Sequence, residues 1–112
     1  MSSTREALLG CPVDRVDLAA IMQRVQAAFA GKGVLSIEGL NVAKLVAARA
    51  DATLMAALHA ADVVHIDGAG VALGAKLLGN PFPPRRAGID LMGDLLSQAV
   101  QQKIGVFLLG AR

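Results

Sequence analysis

Apolar residues recur at helical spacing in five stretches of this chain and run almost unbroken in three shorter ones. Leu18, Ile21, Met22, Val25 and Phe29 form the first stripe. Asp17 before it suits an N-cap, and Gly31 and Gly33 end the segment. Val34 to Leu40 reads as a short strand. Asn41 then caps a helix whose apolar side includes Val42, Leu45 and Val46. Asp51 caps a third helix with Leu54, Met55 and Leu58 on one side, and Asp62 to Ile66 reads as a second strand. Ala69 to Leu78 is a glycine-interrupted helix. Asn80 to Gly88 is a loop stiffened by Pro81, Pro83 and Pro84. Asp90 caps a last helix through Leu91, Leu95 and Ala99, and Ile104 to Leu109 reads as a third strand. Helices alternating with short, wholly apolar strands predict an α/β fold: a Rossmann-like, mostly parallel sheet with helices on both faces.

Composition narrows the function. The 112 residues suit one α/β domain, 54% apolar and only 3% aromatic, with Ala, Leu and Val dominating. A net charge of +2, with no basic stripe interleaved with aromatics, argues against nucleic acid as a partner. No apolar run approaches the roughly 20 residues of a membrane span, and the N-terminus lacks the apolar core of a signal peptide. The single cysteine, Cys11, excludes an internal disulfide framework and fits a reducing, cytoplasmic compartment.

The most telling stretch is VVHIDGAGVALGAKLLGNPFPPRRAGID, Val63 to Asp90. It sets the Asp67 carboxylate at the C-terminal end of a buried strand, where open α/β sheets bind ligands. Two guanidiniums, Arg85 and Arg86, follow in the proline-rich loop and suit phosphate.

These residues also carry a resemblance. LGCPVDRVDLAAIMQRV, GLNVAKLVAARADATLMAAL, ADVVHIDGAGVALGAKLLG, PPRRAGIDLMGDLL and IGVFLLGAR resemble, in order and spacing, the WecG/TagA/CpsF family of bacterial glycosyltransferases. The match runs from about Leu8 to the last residue. It implies transfer of a sugar, often N-acetylmannosamine, from a UDP-sugar donor to an undecaprenyl-diphosphate-linked N-acetylglucosamine, with inversion and without a bound metal or other cofactor. It implies cell-surface polysaccharide biosynthesis and peripheral contact with the inner face of the cytoplasmic membrane. By that resemblance Asp67 is the general base that takes the acceptor hydroxyl proton, against the plainer role of a turn residue capping the next helix. Arg85 matches the family's diphosphate-binding arginine, whereas Arg86 is read as solvated. Asn41 matches the Asn of a Thr-x-Asn motif, and substrate contact and helix capping both stand as its role. Gly39 stands where the family often has Thr, and the lost hydroxyl would change sugar preference or weaken binding.

Other signals are weaker. Gly68, Gly70 and Gly74 form G-x-G-x-x-x-G, one residue too long for the dinucleotide fingerprint, although Gly68 and Gly70 would let a ligand approach the backbone. His59 and His65 do not have metal-ligand spacing, and His65, among apolar neighbours in a strand, reads as structural. Cys11 has no evident His partner and is not read as a nucleophile. Members of the family are longer than this chain, and Ile104 to Leu109 is a strand with no covering helix after it. The expectation is therefore an N-terminal portion whose uncovered apolar surface favours self-association. The competing readings are an inactive remnant or oligomerisation module, and a nucleotide-binding domain of an oxidoreductase.

Overall fold

The computed structural model describes residues 5–31, 33–79 and 88–110. The proline-rich stretch expected to form a loop, with Arg85 and Arg86, lies outside them.

Near the start is an element that the periodicity does not predict. Strands β1 (Arg5–Leu8) and β2 (Cys11–Asp14) pair antiparallel, with Leu8 opposite Cys11. The two-residue turn between them has positive φ at both Leu9 (50°) and Gly10 (88°), the type I′ geometry that matches strand twist. Asn-Gly would have announced such a turn, but Leu-Gly does not. Leu9 is exposed and strained, because a left-handed non-glycine residue costs about 1 kcal/mol or more. Leu9→Asn should therefore stabilise the protein by roughly 0.5–1 kcal/mol, since Asn tolerates this conformation. Urea unfolding that finds the variant weaker than wild type would contradict this account of the turn.

Helix α1 (Leu18–Phe29) starts where expected, with the Asp17 side chain accepting from the Ala20 N–H at 2.9 Å. Strand β3 (Ile37–Leu40) is shorter than the Val34–Leu40 expectation. The cause is Ser36, whose N–H and hydroxyl both reach the Asp62 carboxylate (2.8 and 3.1 Å) while its Oγ accepts from the Asp62 N–H. That clasp ties the strand starts together through side chains, and ladder pairing begins one residue later. The Ser36 N–H is also the main reason the Asp62 carboxyl is held below its ordinary pKa.

Two helices, α2 (Val42–Ala50) and α3 (Ala52–Ala60), lead from β3 to β4 (Val63–Ile66). Asp51 alone separates them, ending one and capping the other through bonds from Thr53 and Leu54. β3 and β4 pair in parallel, Ile37 opposite Val63 and Leu40 opposite Ile66. Helix α4 (Ala69–Leu77) follows β4 directly, and α5 (Gly88–Gln101) is the next described helix. Asp90 lies in the first turn of α5 rather than capping it, because the helix begins two residues earlier. A carboxylate there complements the positive end of the helix dipole.

Because strand side chains alternate, the parallel pair separates two cores. Leu40, Val64 and Ile66 pack with α2, α3, α4 and the hairpin, and Val63 and Ile37 pack with α1 and α5. The α/β class with helices on both faces is thus present, around one parallel pair rather than three strands.

The expected third strand does not form. Residues 104–110 have no ladder partner among the described residues, and Phe107 and Leu109 are 87% and 92% exposed. An apolar run supplies β-propensity, but a strand exists only once a neighbour takes its hydrogen bonds. Instead α5 closes in a Schellman motif: Ile104 N–H bonds Ala99 O (2.8 Å), Lys103 N–H bonds Val100 O, and Lys103 has φ 56°.

Candidate active site

At the carboxyl ends of β3 and β4 the ladder supplies one more bond, from the Asp67 N–H to the Leu40 carbonyl at 3.0 Å. It fixes the backbone of Asp67 one residue beyond β4. Asp67 is two residues from His65, so both side chains leave the same face of the sheet. Gly39 lies opposite His65 in the ladder and shares that face.

Gly39 makes room for the carboxylate. A Cβ added there would stand 3.0 Å from Asp67 Cβ and 3.1 Å from its Oδ2. Asp67 therefore rests directly over the β3 backbone, in space that a Thr at position 39 would fill. The departure from the Thr-x-Asn pattern thus has a steric consequence here, beside the loss of a hydroxyl.

The carboxylate looks into a cleft of about 260 Å³. Gly39, His65 and Asp67 form its floor, Lys44 comes from α2, and Leu91, Met92 and Leu95 of α5 form an apolar wall. Lys44 is 3.2 Å from Glu38 in a half-exposed pair, so the rim carries a cation held beside a carboxylate.

Asn41 stands next to the cleft and does cap α2, its Oδ1 accepting from the Lys44 N–H at 2.8 Å. Its amide NH₂ has no partner among the described residues. Gly68 and Gly70 meet protein: a Cβ on Gly68 would lie 3.3 Å from Asn41 Cβ, and one on Gly70 only 2.8 Å from Val42 Cγ2. Both glycines thus let the start of α4 pack against the start of α2. This brings Asn41 and Asp67, 26 positions apart in sequence, to one end of the sheet. Arg85, the expected phosphate ligand, and Arg86 lie outside the described residues.

Two polar residues lining the cleft were not among the sequence candidates. Lys44 stands three positions after Asn41, one helical turn on, and His65 two positions before Asp67. Helix and strand periodicity thus relate each to a candidate. His65 is buried, as a structural histidine would be, yet it also lines the cleft.

Elsewhere, Cys11 is fully buried and its thiol is pushed up by that burial, away from the reactive thiolate. Among the described residues no three His, Cys, Asp or Glu side chains are grouped to hold a metal.

The sequence matches the model of the glycosyl transferase WecG/TagA/CpsF family over residues 6–112. It is also 46% identical over 56 residues to N-acetylglucosaminyldiphosphoundecaprenol N-acetyl-beta-D-mannosaminyltransferase of Bacillus spizizenii. That alignment covers 50% of this chain and 22% of the Bacillus protein.

Proposed function

Because the chain belongs to the glycosyl transferase WecG/TagA/CpsF family, we propose that this protein is an inverting glycosyltransferase of cell-surface polysaccharide biosynthesis. It moves a hexosamine or hexose, N-acetylmannosamine in the leading case, from a UDP-sugar to an undecaprenyl-diphosphate-linked sugar. The observation that carries this reading is the seat of Asp67: a carboxylate at the carboxyl end of a parallel strand pair, packed over Gly39 and facing a cleft.

Inverting transfer needs a base on the acceptor side. Asp67 takes the proton as the acceptor hydroxyl attacks the anomeric carbon, the bond to the diphosphate oxygen breaks on the opposite face, and UDP leaves with that electron pair. The capped Asn41 presents its NH₂ to a sugar hydroxyl. Gly68 and Gly70 hold the two helix starts beside the substrate. Arg85, three positions before α5 in the sequence, binds diphosphate and offsets its charge with a planar fork of donors. No residue of this scheme calls for a metal.

A lipid-linked acceptor brings the protein to the inner face of the cytoplasmic membrane as a peripheral partner. Among the described residues, no helix is long and apolar enough to cross a membrane.

The test is transfer from UDP-N-acetylmannosamine to a short-chain prenyl-diphosphate-N-acetylglucosamine without added metal, alongside calorimetric UDP-sugar binding. Transfer with inverted configuration is the expected result. A protein that binds no UDP-sugar would overturn the reading.

A further inference from the structure

His65 is only 6% exposed, yet it helps to line the cleft that holds Asp67. Its Nδ1 lies 3.3 Å from the Ile66 carbonyl oxygen. A carbonyl can only accept, so Nδ1 is the donor in this contact, and in the neutral ring Nε2 then keeps the lone pair. Nε2 has no partner among the described residues. No fully buried side-chain nitrogen or oxygen among them is left unsatisfied, so Nε2 must reach the accessible side of the ring. Strand alternation sets that side on the face shared by Gly39 and Asp67.

We propose that His65 is a substrate-contacting residue whose Nε2 accepts a hydrogen bond from a pyranose hydroxyl in the Asp67 cleft. The inference rests on the glycosyltransferase reading and deepens it. A buried ring costs little conformational entropy when it takes up a ligand, and a lone pair fixed by the backbone distinguishes a hydroxyl donor from another acceptor. Leu91, Met92 and Leu95 offer the pyranose an apolar wall on the opposite side. The hydroxyl can belong to either the donor or the acceptor sugar, and the chemistry at His65 is the same.

The protein has two histidines, and His59 is exposed on α3, so ring-nitrogen NMR has a built-in control. In the free protein His65 should show the Nδ1-protonated tautomer, and the opposite tautomer would overturn the inference. UDP-N-acetylmannosamine or the short-chain prenyl-diphosphate-N-acetylglucosamine should then move the His65 Nε2 resonance while UDP alone and His59 serve as references. Which of the two ligands moves it identifies the sugar. His65→Phe, which keeps a buried ring, should weaken that ligand about tenfold with UDP affinity unchanged, and His65→Gln should recover part of the loss. Sugar binding with an unmoved His65 resonance, or equal affinity in all three proteins, would overturn the role of His65 and leave the glycosyltransferase reading standing. A protein that bound neither sugar ligand would overturn both.

Discussion

Asp67→Asn should lower the transfer rate by between about a hundredfold and ten-thousandfold, the usual worth of a positioned general base. The amide is nearly the same shape, so it still fits over Gly39, and UDP-sugar affinity should stay within about twofold. An effect confined to kcat marks a group that acts in the transition state rather than in ground-state binding. Gly39→Ala provides an independent arm with Asp67 intact. Its Cβ would stand 3.0 Å from Asp67 Cβ, so Asp67 must give by a few tenths of an ångström, and activity should fall with little change in fold. Stopped assays on purified wild type and both variants decide the matter. An Asp67→Asn enzyme that kept more than a tenth of wild-type kcat would move the base elsewhere, with His65 the first residue to examine.

The largest effect on stability should come from Asp14. Asp14 is 8% exposed, and its carboxylate takes bonds from Arg5 Nε (2.9 Å), Arg5 Nη2 (2.8 Å) and the Val64 N–H (2.7 Å). Arg5 also donates to the carbonyls of His59 and Ala61, at 3.0 and 2.8 Å. One ion pair thus ties the hairpin to the end of α3 and to the outer edge of β4, and the hydrogen bond to Asp14 raises the Arg5 pKa further. Asp14→Ala removes the acceptor for three donors and leaves a guanidinium and a β4 amide without it. The expected loss is about 3 kcal/mol. In a domain of this size that is a drop in Tm of roughly 10–20 °C. Arg5→Met with Asp14→Ala should lose less than Asp14→Ala alone, because no part-buried guanidinium is then left without its carboxylate. Thermal unfolding of the three proteins checks this, and a single variant within about 0.5 kcal/mol of wild type would show the pair to be dispensable. The consequence reaches the site, because β4 carries His65 and leads into Asp67.

No local pattern in the sequence marks Asp14 or Arg5. Each is an ordinary charged residue near the start, and the partners that bury them lie about 50 positions away. The hairpin is hidden in the sequence for a related reason. Its strands are four residues each, and its turn is Leu-Gly. Ile104 to Leu109 shows the opposite error, since strong local β-propensity there meets no pairing partner among the described residues. The helices fared better. Asp17, Asn41 and Asp51 each cap the helix predicted behind them, because a cap is a bond between a side chain and an amide two or three residues on.

By itself the sequence determined the α/β class, the helices with their caps, and a carboxylate at the end of an apolar strand, since these depend on residues within one or two turns of each other. It also carried the family, because the motifs lie in order along the chain. Tertiary structure alone decided that β3 and β4 pair with Gly39 opposite His65, that Asp67 settles into the space Gly39 leaves, and that Gly68 and Gly70 let the starts of α2 and α4 touch. It also decided that a buried histidine opens onto the same cleft. Those outcomes depend on register and close packing between segments far apart in the chain, where a shift of one residue would turn every side chain of a strand to the other face.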